Sequence, residues 1–130
     1  MAYNDRHVWS AEFDGSSTGD KAYFGGFTTR VQIHRIGAYI LDATTGAGTI
    51  DFDKRTGSTD TADGVGQLTV SASQSAGNVL TETPTAPVIL SIGSVCVVAV
   101  DDAFDALAIA SIEYSILEQS LDMTTVDATA

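Results

Sequence analysis

The chain predicts an all-β fold, an antiparallel β-sandwich with an extended N-terminal arm, and three observations carry that expectation. Apolar and polar residues alternate over short runs: Leu68, Val70 and Ala72 interleave with Gln67, Thr69, Ser71 and Ser73, the period-two pattern of a strand with one buried face. Twelve glycines and repeated Gly/Ser/Thr/Asp clusters separate these runs, as turns separate the strands of a sandwich or barrel. The composition agrees, since 28 Ser and Thr residues supply the polarity that a charged content of only 18% leaves out, while 44% of the chain is hydrophobic. Roughly seven to nine strands fit into 130 residues, and sheets that are apolar on one face need a second sheet to cover it.

By length the chain is one domain, read as an arm over residues 1–20, a sandwich over 21–117 and a polar tail over 118–130. In the arm, Val8-Trp9-Ser10-Ala11-Glu12-Phe13 is a short apolar run, set apart by the turn formers Asp14-Gly15-Ser16-Ser17-Thr18-Gly19-Asp20. Tyr23, Phe24 and Phe27 lead into the first sheet. From Thr28 a strand carries Val31 and Ile33 on one face and Arg30, Gln32 and His34 on the other; Gly37 breaks it, and Tyr39, Leu41 and Ala43 continue a second strand. Gly46 and Gly48 mark a turn or bulge before a strand in which Ile50 and Phe52 face the core and Asp51, Asp53 and Arg55 face solvent.

Residues 56–66 read as a long polar loop. Past the strand of Leu68 and Val70, the chain turns at residues 74–77, and Pro84 and Pro87 bracket a loop or an edge, because proline cannot donate to a sheet ladder. Gly93-Ser94 joins residues 88–92 to residues 95–100 as a hairpin turn. The second of these runs is apolar on both faces, which makes it a central strand or places it under an oligomer interface. Asp101 to Asp105 could cap a helix. However, Ala108, Ala110, Ile112, Tyr114 and Ile116 alternate with Ser111, Glu113 and Ser115, so a turn through residue 106 and a strand after it is the better reading.

Charge is distributed unevenly along the chain. All six Lys and Arg residues (Arg6, Lys21, Arg30, Arg35, Lys54, Arg55) lie in the first 55 positions, where they meet seven Asp and Glu; the remaining 75 residues carry ten acids and no base. A net charge of −11 repels phosphate and anionic lipid, so neither nucleic acid nor membrane is an expected partner. Arg30 and Arg35, five positions apart in one strand, should point to opposite faces. No stretch approaches the ~18 apolar residues of a membrane span, and the first residues lack a signal-peptide core. The expected place of synthesis is therefore a reducing cytoplasm. Cys96, the lone cysteine, sits in an apolar run and reads as a buried, inert thiol.

Catalytic and cofactor motifs are missing from the sequence. Gly46-Ala47-Gly48 lacks the third glycine and the helix of a dinucleotide fingerprint, and no phosphate loop or nucleophile elbow occurs. His7 and His34 are the only histidines, too few for a His/Cys metal centre and poorly placed for a Ser-His-Asp set. Asp51, Asp53, Asp60 and Asp63 do not have EF-hand spacing; solvated turn carboxylates are the default, with a cation in the loop 56–66 the lesser reading. No enzyme, cofactor or metal is expected.

One ordering of parts resembles a known family. Thr29-Arg30-Val31-Gln32-Ile33-His34-Arg35-Ile36 is followed by Gly37-Ala38-Tyr39-Ile40-Leu41-Asp42. A Gly-rich link leads to Thr49-Ile50-Asp51-Phe52-Asp53, then come Asp60 and Asp63, and Ala110-Ser111-Ile112-Glu113-Tyr114-Ser115-Ile116 closes the domain. Over residues 21–117, about three quarters of the chain, this is similar to small jelly-roll-type virion proteins of tailed bacteriophages, among them head decoration proteins. The resemblance implies a jelly-roll-like sandwich and a structural role: a homo-oligomer, with a trimer favoured, bound to the major capsid protein or other virion proteins. It further implies a place on the capsid surface, where the protein stabilises the head. The contact residues expected from the arm and the first strand are Trp9, Phe13, Arg30 and Arg35. A host-recognition or glycan-binding module, using Trp9, Tyr39 and Tyr114, is the second reading. In that reading Trp9 is the exposed ring, because alternation puts Tyr114 on the core side.

Overall fold

The computed structural model describes residues 6–117; residues 1–5 of the expected arm and the tail 118–130 lie outside the described residues. Nine strands follow one another among these residues: β1 (His7–Asp14), β2 (Gly19–Gly25), β3 (Val31–Ile40), β4 (Gly48–Thr56), β5 (Thr59–Val70), β6 (Val79–Glu82), β7 (Val88–Leu90), β8 (Ser94–Asp102) and β9 (Leu107–Ile116). They pair as a nested antiparallel ribbon, β1 with β9, β2 with β8, β3 with β6, and β4 with β5. Rolled up, the ribbon gives sheet I in the order β1-β9-β3-β6, with β7 also on β3, and sheet II in the order β2-β8-β4-β5. Eight strands so arranged form a jelly roll, with β7 as a short ninth. The expected all-β antiparallel sandwich is the fold.

The core lies between the sheets and follows from the alternation. Sheet I contributes Phe13, Val31, Ile33, Ile36, Ala38, Ile40, Leu90, Ala108, Ala110 and Ile112; sheet II contributes Phe24, Ile50, Phe52, Val65, Leu68, Val70, Cys96, Val98 and Val100. Ala38, Ala108 and Ala110 are small members of the sheet I layer, while sheet II brings the large rings of Phe24 and Phe52 to the same core. Phe24 stands at the centre of an aromatic cluster, with ring centroids 5.4 Å from Trp9, 5.3 Å from Phe27 and 4.9 Å from Tyr114. Such tilted and edge-on contacts add to the area these rings bury. β8 is indeed central in sheet II and apolar on both faces, and Cys96 on it is fully buried.

Several expectations fail, each for a definite reason. His7–Asp14 is an edge strand of sheet I, paired with β9 over its whole length, and not a separate arm. Its inward residues Trp9 and Phe13 have a core to bury against, so the stretch 14–20 is a connection between sheets with the start of β2 and not a linker. Gly37 does not break β3. A bulge at His34 shifts the register between Ile33 and Arg35, which turns Ile36, Ala38 and Ile40 inward and leaves Tyr39 outside. Gly37 is needed within the strand: a Cβ there would stand 2.9 Å from Ser111 Oγ and 3.2 Å from the Leu80 carbonyl.

The stretch 56–66 is also not a loop. Thr56 pairs with Thr59 across a two-residue turn, with Gly57 at φ 60° in the left-handed conformation such hairpins require. Nor do residues 88–100 form a hairpin, since β7 belongs to sheet I and β8 to sheet II. Gly93, at φ 89°, serves a crossover between them.

Candidate functional site

The two outer faces of the sandwich are the surfaces on which function can act, and they differ in chemistry. On sheet I, the register aligns three rows across the strands. Ser10, Ser111, Gly37 and Thr81 form a central row of small residues; Glu12, Ile109, Tyr39 and Val79 form the row on one side, and Val8, Glu113 and Arg35 the row on the other. Because the central row lacks bulk, the face dips into a depression of about 240 Å³ lined by Val8, Arg35, Ile36, Gly37, Thr81, Ser111 and Glu113. Its rim is apolar for an outer face, with Val8 69%, Val79 63% and Tyr39 43% exposed. At one end Glu113 is shared by Arg35 at 3.4 Å and Arg6 at 3.5 Å, which leaves one positive charge in excess.

Beside these groups, His34 on the β3 bulge shares a 2.7 Å hydrogen bond with Ser115 Oγ. Burial, and then the positive charge of Arg6, push the His34 imidazole below its ordinary range. A histidine and a serine at this distance are two members of a nucleophilic set, a pairing that their separation of 81 positions concealed in the sequence. Ser115 is only 4% exposed, however, and among the described residues no carboxylate hydrogen-bonds the ring. The orienting group and the open approach that acyl transfer needs are both lacking.

On sheet II the outer face is carboxylate-rich. Asp51, Asp53 and Asp63 bring one oxygen each within 4.8 Å of one another, a grouping that depends on the β4–β5 hairpin. Asp63, at φ 55°, directs its own N–H to Asp53 Oδ1 at 2.7 Å. The Gln67 amide donates to Asp51 at 2.8 Å and to Asp63 at 3.4 Å. Burial and then the charges of Asp51 and Asp53 raise the Asp63 carboxyl to about 6. Burial raises Asp53 as well, against the hydrogen bond it accepts from Asp63. These three residues are the ones that could hold a hard cation. In the geometry present, the Gln67 amide occupies acceptor positions on two of them, whereas Ca²⁺ asks for six to eight oxygens.

Farther along the same face, Arg55 pairs with Asp20 at 3.0 Å and with Asp60 at 3.3 Å. Hydrogen bonding to Asp20 holds its guanidinium above the ordinary value. Beneath this polar layer Val97 and Ala99 are buried on the outer side of β8.

The structure separates the residues expected to make contact. Phe13 is 5% exposed and meets Phe104 edge-on at 6.2 Å, so it is a core residue. Trp9 is half-buried and turned inward onto Phe24. Arg35 is on the outer face of sheet I, and Arg30 is exposed just ahead of β3. The glycan reading retains one ring, because Trp9 and Tyr114 pack inward on Phe24 and only Tyr39 faces out.

No protein-family model and no curated protein matches the chain. Among solved structures it is similar to the globular domain of zebrafish complement 1qA protein, at 10% identity and a TM-score of 0.42, over 82% of this chain and 94% of that one. It is also similar to a chain of the virus-like particle of extra small virus from the giant freshwater prawn Macrobrachium rosenbergii, at 12% identity and a TM-score of 0.29, over 85% and 78%.

Proposed function

We propose that this chain is a structural virion protein, a decoration or cement protein that binds the head of a tailed bacteriophage and stabilises it. It is made in the host cytoplasm and acts at the capsid surface, on the major capsid protein or neighbouring virion proteins. It works as a homo-oligomer, with a trimer the favoured size, and uses neither cofactor nor metal.

The observation that supports this reading most is the contrast between the outer faces. The face of sheet I offers a shallow, small-residue depression with Val8, Tyr39, Ile109 and Val79 around it, and Arg35 at its end. Exposed apolar groups bordered by a charged group are what a contact surface offers. The face of sheet II carries clustered carboxylates and stays in water. Sheet I is therefore the attachment face in this reading, with Arg35 and Arg30 at its margin and Trp9 beneath it. Weak contacts of this size add through the many copies on a particle.

Co-sedimentation of the full chain with particles stripped of their surface proteins tests the proposal. Wild type should bind in stoichiometric copy number. A Tyr39→Glu/Val79→Lys double variant, changed only at exposed positions, should lose binding while remaining folded. Undiminished binding of that variant would remove the attachment face from the account, and a wild-type chain that binds no particle would remove the function.

A further inference from the structure

Four edges bound the two sheets, and three of them carry devices that hinder pairing with another chain. β2 is bulged between Asp20 and Ala22. β5 loses its regular register opposite Phe52 and Lys54 and runs through left-handed Asp63. The edge opposite β1 in sheet I is divided into β6 and β7, of four and three residues, by a connection holding Pro84 and Pro87. Bulges, short strands, prolines and charged side chains are the usual protections of a sheet edge. β1 has none of the first three, and its charges are the exposed Glu12 and Asp14 near one end. Its eight residues pair one to one with β9, from His7↔Tyr114 to Asp14↔Leu107, without a shift, and it contains neither proline nor glycine. Among the described residues no other strand pairs with its free edge.

We propose that β1 is a self-association edge, occupied by β1 of a second copy running antiparallel about a two-fold axis. The charge pattern of the strand selects that occupant. Arg6 lies at its beginning, and Glu12 and Asp14 at its end. An antiparallel second copy sets base against acid at both ends, whereas a parallel one sets like against like. A two-fold axis normal to the sheet keeps inward residues inward only when the numbers of facing residues sum to an even value, since side chains alternate with period two. The register centred on Ser10 meets this condition and uses the whole strand. It places Arg6 opposite Asp14 and diagonal to Glu12 of the second copy, within reach of a cross-strand pair. It also places Trp9 opposite Ala11, so the half-buried indole gains cover, and it runs sheet I continuously through both copies.

This inference rests on the proposed function only for the expectation that the chain self-associates. It joins copies in twos, so it predicts a dimer, or a hexamer if a three-fold contact exists as well. Sedimentation velocity on the full chain gives the assembly, and the emission of Trp9, the only tryptophan, reports the edge. The expected results are an even-numbered assembly and a blue shift of Trp9 emission as concentration rises. Association should be about tenfold weaker in Glu12→Arg, from two reversed cross-strand pairs, and about threefold weaker in the milder Glu12→Gln. Asp102→Lys, with the same charge change on sheet II, should associate as wild type does. A monomer, a trimer alone, an even assembly indifferent to both Glu12 substitutions, or an unmoved Trp9 emission would overturn the pairing. A monomer that still binds particles would sink the pairing and leave the decoration reading standing; a dimer that binds no particle would do the converse.

Discussion

The outer faces of sheet I and sheet II arise from the same alternating pattern, yet they use it in opposite ways. On sheet I the outward positions of the central row are Ser, Ser, Gly and Thr, beside a row holding Ile109, Tyr39 and Val79. On sheet II they are Asp51, Asp53 and Gln67, with Asp63 folded back over them. The strands of sheet I carry four Asp and Glu residues and those of sheet II seven, but placement matters more than the count. Burial first, and then the neighbouring charges of Asp51 and Asp53, raise the Asp63 carboxyl on sheet II, whereas Glu113 on sheet I is held between two arginines. The outer face of sheet I exposes apolar groups, whereas the clustered carboxylates make that of sheet II costly to cover.

The largest expected effect breaks both faces at once. Phe24 joins the sheets through Trp9, Phe27 and Tyr114, and Phe24→Ala should cost about 3–5 kcal/mol, read as a fall in the denaturant midpoint. A smaller change separates the faces. Gly37→Val would place its side chain against Ser111 and Leu80, costing about 1–3 kcal/mol by overpacking and filling the depression. It should therefore reduce particle binding beyond what the loss of stability explains. A chain equally stable and equally able to bind would show that the small-residue row has no role.

The acidic cluster supplies the next test, through pH. Asp63 titrates near 6 in the folded chain against 3.8 for the ordinary carboxyl, and Asp53 moves in the same direction. Between those values the folded state binds the extra proton, so stability rises as pH falls from above 6 towards 4. Asp14, on sheet I, has the opposite sign. The Ser16 hydroxyl and backbone N–H lower its pKa, so its contribution is present above the ordinary value and is lost as pH falls through its lowered one. Asp63→Asn keeps a residue that tolerates the left-handed conformation and removes one of three clustered charges. It should raise stability at pH 7 by about 1 kcal/mol and flatten the pH profile of the thermal midpoint between 4 and 6. The smallest effect belongs to Arg35→Ala, which releases a half-exposed ion pair and should change stability by about 0.2–1 kcal/mol, less at high salt.

Much of this fold was legible because alternation survives wherever a strand is regular. β9 was readable from Ala108 to Ile116, and the two apolar faces of β8 marked its central place. Irregular backbone hid the rest. The His34 bulge reverses the phase of β3, so Ile36, Ala38 and Ile40 face the core within one strand, where the sequence pattern reads a break at Gly37 and a second strand of Tyr39, Leu41 and Ala43. Left-handed Asp63 and the irregular pairing near it made a polar strand look like a loop. β1 was obscured by the turn formers after it, because its partner lies about a hundred residues away in β9.

The charge asymmetry of the sequence was real but spatially misleading. A nested ribbon lays the first strand against the last, so Arg6 and Arg35 meet Glu113, and Arg55 meets Asp20 and Asp60. A basic half and an acidic half in sequence do not make two ends in space. Likewise, Asp51 and Asp53 were recognisable as neighbours on one strand face, while the third member of their cluster required the hairpin.

Cysteine footprinting tests the distinction between the faces most directly. Cys96 is fully buried and burial raises its thiol to about 12, so it forms a silent background for maleimide labelling. Thr81→Cys reports the outer face of sheet I, and Thr69→Cys reports that of sheet II, both at exposed positions. In the free chain both should label. On particles, labelling at position 81 should be suppressed at least about tenfold while position 69 continues to react, as expected for burial in an interface core. Equal labelling at position 81 with and without particles, or protection at position 69 alone, would contradict the assignment of sheet I as the contact face.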